Sequence, residues 1–161
     1  MSSTAPQPEI SVSPTPETQA SGPVADVLAA EEAAIWAYGL IGGRVSSTQA
    51  QSRALLALDT HRAARTWLRG VILASGKVPA VPPAGYEPSE PVIDNASAER
   101  FAAQVESALV PLWVQAAGSV QGADRKVAAQ YGAGCNARAV LWGAPTQAFP
   151  GTSPDETPSA D

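Results

Sequence analysis

The chain has 161 residues, a formal net charge of -5 and a sequence pI of about 4.8. This acidic balance argues against nucleic acid as a partner, because binding to phosphates requires a basic surface. No segment reaches the roughly 18 uninterrupted apolar residues of a membrane span, and the N-terminus lacks the basic start and apolar block of a secretory signal. We therefore expect a cytoplasmic protein without a membrane partner, a compartment that also suits the single cysteine, Cys135.

Both ends of the chain have the composition of disordered tails. Residues 1–21 and 151–161 are rich in Pro, Ser and Thr and contain little that a core could bury, so folding would not offset their ordering entropy. We interpret them as solvated spacers. The alternative is a docking peptide, because Pro-rich stretches are preorganised for polyproline recognition. The folded domain is predicted to span residues 22–150.

The first half of this domain predicts two helices. One is expected over about 23–40, because proline suits the first turn of a helix and two glycines follow its end. The other is expected over 48–75, where Ser46 and Gln49 have the spacing of a capping box and a glycine supplies the stop.

The second half begins with a long crossover, KVPAVPPAGYEPSEPVID, in which proline recurs. A third helix is expected to start after Asp94 and to run to about Ser119, with a kink at Pro111. A fourth is expected over about 123–142. Each of the four helices carries one apolar seam.

Four such seams predict the fold class. The short connections between the first and second helices and between the third and fourth helices make two antiparallel hairpins. An all-α, antiparallel four-helix bundle with a long Pro-rich crossover between helices 2 and 3 buries all four seams.

Several stretches resemble a known family: AAEEAAIWAYGLIGGRV, THRAARTWL, AERFAAQVESAL and RAVLWGAPTQAFPG. They look like the alanine-rich, ferritin-like domain proteins of unknown function found in actinobacteria (the DUF4439 type), over roughly residues 24–151. The most specific parts are the opening Glu-x-Ala-Ala pattern, the His61–Arg62 pair and the ending after Trp142. Members often carry a histidine after the first-helix glutamate, where this chain has Glu32. The resemblance implies a ferritin-like bundle and no assigned activity.

A ferritin-like fold raises the hypothesis of a di-iron centre, which needs a Glu on each of two helices and a Glu-x-x-His pair on each of the other two. The chain has one histidine where two are needed, and Leu58 stands three residues before His61. Glu31 and Glu106 remain as isolated carboxylates, and Arg138 on the fourth helix would repel a cation. We therefore predict no metal and no cofactor.

Nucleophilic catalysis is also not indicated. A system based on His61 would need an activated Ser or Cys beside it. Cys135 lies in an Ala/Gly-rich helix, where we interpret it as a small packing residue. We predict no catalytic residues.

Charged side chains nevertheless fall on the seams that face the core. Buried charges cost several kcal/mol unless they are paired, so we expect Glu31 to meet Arg65 or His61, and Glu106 to meet Arg138. This network is either structural or the lining of a polar ligand pocket. The residues predicted to form the buried polar core are Glu31, His61, Arg65, Glu106, Tyr131 and Arg138.

Three functions stay open at this point. The leading hypothesis is a non-catalytic structural or protein-interaction domain on a degenerate ferritin-like bundle. The alternative is a small-molecule-binding protein or an atypical enzyme with a polar pocket in the bundle core. A metal-dependent oxidoreductase or iron store is suggested by fold alone and opposed by the ligand count. The sequence also leaves open a homodimer or another protein partner, because the chain has four tryptophans that could form an interface.

Overall fold

The computed structural model describes residues 18–146. Its helices are α1 (Pro23–Gly42), α2 (Thr48–Ala74), α3 (Asn95–Ser119) and α4 (Gly122–Leu141). The all-α four-helix bundle predicted from the sequence is confirmed, with helix bounds close to those expected. The predicted tail 151–161, most of the tail 1–21 and the domain boundary at residue 150 lie outside the described residues.

The last residues of the predicted N-terminal tail are paired with the crossover. The backbone N–H of Ala20 donates to the carbonyl of Val78 at 2.9 Å, and the N–H of Val78 donates to the carbonyl of Thr18 at 3.1 Å. Residues 18–20, which the sequence assigned to the tail, therefore pair with the crossover through their backbone.

Two serines at the start of α2 have separate roles. The side chain of Ser47 caps the helix by accepting a hydrogen bond from the N–H of Ala50. The predicted capping box of Ser46 and Gln49 is therefore wrong by one residue. Ser46 instead donates, through its backbone N–H, to the side-chain oxygen of Asn95 at 2.9 Å. This contact ties the turn between α1 and α2 to the first residue of α3.

The start of α3 agrees with the prediction. The side chain of Asp94 accepts from the N–H of Ser97, and the Ser97 side chain accepts from the N–H of Asp94, which completes a capping box. Pro111 lies inside the helix, as expected from the sequence.

The direction of the helices explains the long crossover. Tyr38 contacts Glu106 and Glu31 contacts Trp113, so residue numbers rise along α1 as they fall along α3. The two helices are therefore antiparallel. Short turns also make α1 antiparallel to α2 and α3 antiparallel to α4. Because α2 and α3 then point the same way, the segment 75–94 must return the chain along the bundle.

The core consists of two apolar clusters with polar side chains between them. On α2, Ala57 belongs to one cluster and Ala64 to the other. His61 lies midway between these alanines and is fully buried. On α3, Glu106 lies in the same way between Ala102 and Leu109.

None of the helices within residues 18–146 contains an apolar stretch of the length needed to span a bilayer.

Candidate functional site

A buried histidine on α2 lies between two buried glutamates. Nδ1 of His61 is 2.7 Å from Oε2 of Glu31 on α1, and Nε2 is 3.3 Å from Oε1 of Glu106 on α3. All three residues are 0% exposed. An ionised carboxylate can only accept hydrogen bonds, so both ring nitrogens must carry protons for both contacts to form. This geometry fits an imidazolium.

Glu106 receives further donors from α1 and α4. Its Oε1 accepts from the hydroxyl of Tyr38 at 2.7 Å and from Nε of Arg138 at 2.6 Å. The same guanidinium contacts Sγ of Cys135 through Nη2 at 3.2 Å. Oε2 of Glu106 is buried and has no hydrogen-bond partner among the described residues. The carboxylate is therefore held mainly through one oxygen.

The two glutamates are held by a reciprocal pair of aromatic donors. Nε1 of Trp113 donates to Oε1 of Glu31 at 2.8 Å, while Tyr38 donates to Glu106. On each helix the aromatic donor follows its glutamate by seven residues, which is two helical turns and therefore the same face. Since α1 and α3 are antiparallel, each aromatic residue reaches the glutamate of the other helix. Trp142 extends the network by donating to the Tyr38 hydroxyl at 2.9 Å.

The formal charges of this network cancel. Glu31 and Glu106 contribute two negative charges, and protonated His61 and Arg138 contribute two positive charges. Buried ions are tolerated when they are paired and hydrogen-bonded. We name these four residues the ionic network. One residue of the network comes from each helix.

Burial and hydrogen bonding compete in setting the pKa values of the network. Burial alone would lower the pKa of His61, but hydrogen bonds to Glu106 and Glu31 outweigh it and raise that pKa. Burial alone would raise the pKa of Glu106, but hydrogen bonds from His61 and Arg138 outweigh it and lower that pKa. Both shifts favour the charged forms, which agrees with the hydrogen-bond geometry.

The hydroxyl and the thiol beside the network stay protonated. Burial and the neighbouring Glu106 carboxylate raise the pKa of Tyr38. Burial, followed by Glu106, also raises the pKa of Cys135. A nucleophilic cysteine needs a lowered pKa and access to substrate. Cys135 is buried and has a raised pKa, which makes it a poor candidate for nucleophilic catalysis.

Two residues predicted for the polar core lie outside the ionic network. The side chain of Arg65 is 36% exposed and pairs with Glu32 at 3.4 Å, because it lies at the edge of the α2 seam that faces α1. Tyr131 is half-buried and stacks on Trp113 with ring centroids 4.9 Å apart. Its position is set by this aromatic packing, and no hydrogen bond joins it to the four charged residues in the described part of the chain. The structure therefore brings four of the six predicted residues together and leaves Arg65 and Tyr131 outside the ionic network.

The network does not fit a di-iron carboxylate centre. Such a centre takes a Glu from each of two helices and a Glu-x-x-His pair from each of the other two. Here α2 supplies His61 without a glutamate one turn before it, and α4 supplies Arg138, whose positive charge opposes a cation. Within residues 18–146, no group of three or more His, Cys, Asp and Glu side chains is arranged to hold a metal ion.

Sequence reasoning missed the donors that complete the network. No hydrogen-bonding role was assigned to Tyr38, Trp113 or Trp142 from the sequence. The available signal was the seven-residue spacing from Glu31 to Tyr38, repeated from Glu106 to Trp113. Buried Tyr and Trp usually find a hydrogen-bond partner, so this repeat predicts two aromatic donors facing two carboxylates.

The fold and the site together define an all-α four-helix bundle organised around buried ionic side chains. The chain belongs to the family described as "Domain of unknown function (DUF4439)", whose model matches residues 23–154. This confirms the resemblance seen in the sequence. No curated protein matches the chain.

A solved structure with a similar fold comes from an actinobacterium. It is the crystal structure of a conserved hypothetical protein, rv2844, from Mycobacterium tuberculosis. The two proteins are 26% identical, with a TM-score of 0.70, and the match covers 74% of this chain and 91% of that chain.

Proposed function

We propose that this chain is a non-catalytic structural or protein-interaction domain. In this proposal a ferritin-like bundle keeps an ionic network where di-metal carboxylate proteins of that fold hold their metals. The observation that carries the proposal is the 2.6 Å contact between Nε of Arg138 and Oε1 of Glu106. It supports the view that a protein cation, fixed on α4, neutralises the carboxylate that a metal would otherwise bind.

The placement of the network supports this interpretation. Glu31 on α1 and Glu106 on α3 occupy two helices that each contribute one isolated carboxylate, as the di-metal arrangement requires. His61 on α2 retains one imidazole of that arrangement. Only Arg138 on α4 has no counterpart among the usual ligands. A ferritin-like ancestry would explain why ionisable side chains from four helices meet inside an otherwise apolar core.

The burial of the network argues against catalysis at this place. A catalytic group must approach its substrate within hydrogen-bond reach, and Glu31, His61 and Glu106 are fully buried. Neither Glu31 nor Glu106 lines the cavity beside Trp36 or three other cavities of about 60 to 450 Å³. The alternative of a ligand pocket built from the polar core is therefore less well supported than a structural network.

The binding partner and the cellular location of this protein remain predictions from the sequence. Trp113 and Trp142 are buried in the core, so they do not supply the tryptophan interface considered from the sequence. Trp36 and Trp67 are half-buried. A homodimer, another protein partner, a cytoplasmic location and the lack of nucleic-acid and membrane binding remain to be tested.

A thermal unfolding experiment with metals tests the proposal. A ligand that binds only the folded state raises its stability by about 2.7 kcal/mol at 100 times its Kd. We expect Mn²⁺, Zn²⁺ and anaerobic Fe²⁺ to leave the melting temperature at its value in chelator. His61→Ala serves as the control. A metal that stabilises the wild type but not this variant would identify the network as a metal site and overturn the proposal.

A further inference from the structure

A second feature lies on the outer side of α1 and α3, away from the ionic network. Here the crossover leaves an open, apolar cavity of about 240 Å³. Its walls are alanines and Trp36 from α1, Phe101 and Leu112 from α3, and Tyr86 and Glu87 from the crossover. The α1 wall is mostly alanine, and the aromatic side chains of Trp36, Phe101 and Tyr86 lie around it; we call this cavity the slot.

The size and walls of the slot suit a ring. An apolar cavity of about 150 Å³ holds benzene, so 240 Å³ leaves room for a bicyclic ring. Trp36 and Phe101 are half-buried, so a ligand in the slot would cover apolar surface that now meets water. The ring of Tyr86 lies 5.9 Å from that of Trp36. Offset or tilted aromatic rings at this range attract one another.

The carboxylate of Glu87 on the crossover indicates the charge of the ligand. The hydroxyl of Tyr86 is excluded from water, and the charge that acts on it is that of Glu32, which does not line the slot, so this hydroxyl does not select the ligand. The neighbouring Glu87 is exposed and also lines the slot. No Lys, Arg or His is among the residues that line it. A cation beside Glu87 therefore suits this slot, whereas an anion would face the same carboxylate and be repelled.

We propose that this slot binds a small aromatic amine, with the ring between α1 and α3 and the ammonium group beside Glu87. The aromatic walls would also attract the ammonium through their ring faces. This binding site goes beyond the proposed function and does not depend on it, because none of the four residues of the ionic network lines the slot.

Tryptamine is the probe, and indole-3-propionate, which carries a carboxylate on a similar ring, is the matched anion. Ligand-observed NMR on the full chain should show saturable binding of tryptamine with a Kd of about 1 mM or tighter, as expected for a ligand of this size. Indole-3-propionate should bind at least about 10-fold more weakly, because like charges repel. Equal binding of the two compounds would overturn the assignment of an amine.

Two substitutions locate the site. Ala108→Leu places a larger side chain at the wall of the slot, and Ala63→Leu makes the same change at an exposed position of α2. We expect the first to abolish tryptamine binding and the second to leave it unchanged. Glu87→Gln, at an exposed position that should tolerate the change, should weaken tryptamine but not the neutral 3-methylindole. No saturable binding to the wild type, or equal effects of the two leucine variants, would contradict the proposal.

Discussion

Arg138 faces Glu106 across the interface of α3 and α4, with Nε 2.6 Å from Oε1. The arginine side chain is 17% exposed and the glutamate side chain is 0% exposed, so the pair is largely shielded from water. Breaking a buried pair by removing one partner is strongly destabilising, because it leaves an uncompensated charge. The stability of this bundle should therefore depend on every member of the ionic network.

Glu31→Ala tests that dependence on α1. The change removes the acceptor of both His61 and Trp113 and leaves a buried cation, so we expect a loss of about 3–5 kcal/mol in the free energy of unfolding. Asp59→Ala is the control, because the Asp59–Arg62 pair is more than half exposed and such pairs contribute about 0–1 kcal/mol. Denaturant titrations of both variants give the comparison. Equal free energies of unfolding for the Glu31→Ala and Asp59→Ala variants would show that Glu31 makes no buried ion pair.

His61 should make stability fall as the pH rises above neutrality. Its pKa is raised above the ordinary value of 6.5 in the folded chain. The stability it contributes is therefore fully present below about 6.5 and is lost as the pH rises through the folded pKa. We expect the free energy of unfolding to decrease between about pH 6 and pH 8, and His61→Asn to remove most of that decrease.

The single histidine allows a direct check of this prediction. The NMR titration of its ring protons should have its midpoint above 6.5 in the folded chain. On the acid side, the pKa of Glu106 is lowered below its ordinary 4.5. Its contribution is present above about 4.5 and is lost as the pH falls through the folded pKa. A wild type that gains stability from pH 6 to pH 8 would refute the imidazolium assignment.

Cys135 should be inert while the bundle is folded. It is the only cysteine of the chain and is fully buried, and its pKa is raised by burial. Because the thiolate is the reactive form, a disulfide reagent at pH 8 should label the folded chain far more slowly than the unfolded chain. Labelling of the native protein as fast as of the denatured protein would place Cys135 outside the core.

Gly132 should be intolerant of a side chain. A Cβ built there would lie 3.0 Å from Cβ of Trp113, which is fully buried and hydrogen-bonded to Glu31. Overpacking of this kind costs about 1–3 kcal/mol, which exceeds the gain of up to about 1 kcal/mol in helix propensity. Gly132→Ala should therefore lower the melting temperature.

Gly70→Ala is the matched control for this substitution. Gly70 also lies inside a helix, but a Cβ there has no neighbouring atom within 4 Å. The same change should raise stability by up to about 1 kcal/mol, because only the helix propensity differs. If both variants were stabilised alike, α3 and α4 would not approach each other as closely as the structure shows.

Much of the fold was predictable, because helical spacing and helix ends are local properties of the sequence. The glycines after α1 and α2, the cap at Asp94 and the apolar seams marked four helices. The start of α2 was misplaced by one residue because Ser46 and Ser47 are both plausible caps. Ser46 is used instead by Asn95, a contact between residues distant in sequence.

The site was predictable only in part, because contacts between residues distant in sequence also decide which side chains meet there. The seams placed Glu31, His61 and Glu106 on the core side of their helices, where the structure has them. A heptad pattern predicts which face of a helix points to the core, but it does not predict which residues of a neighbouring helix contact the edge of that face. Arg65 was therefore assigned to the core although it reaches Glu32 at the surface of the α1–α2 interface.

A double-mutant cycle of Glu106→Gln and Arg138→Met tests most directly whether these residues form the ion pair that holds the core together. Residues in contact within one network show coupling energies of about 0.5–3 kcal/mol, whereas independent sites are additive. We predict a favourable coupling of at least about 1.5 kcal/mol at pH 7, so that the second substitution costs much less once the first has been made. Additivity within about 0.5 kcal/mol would contradict the claim that Arg138 neutralises Glu106 in place of a metal.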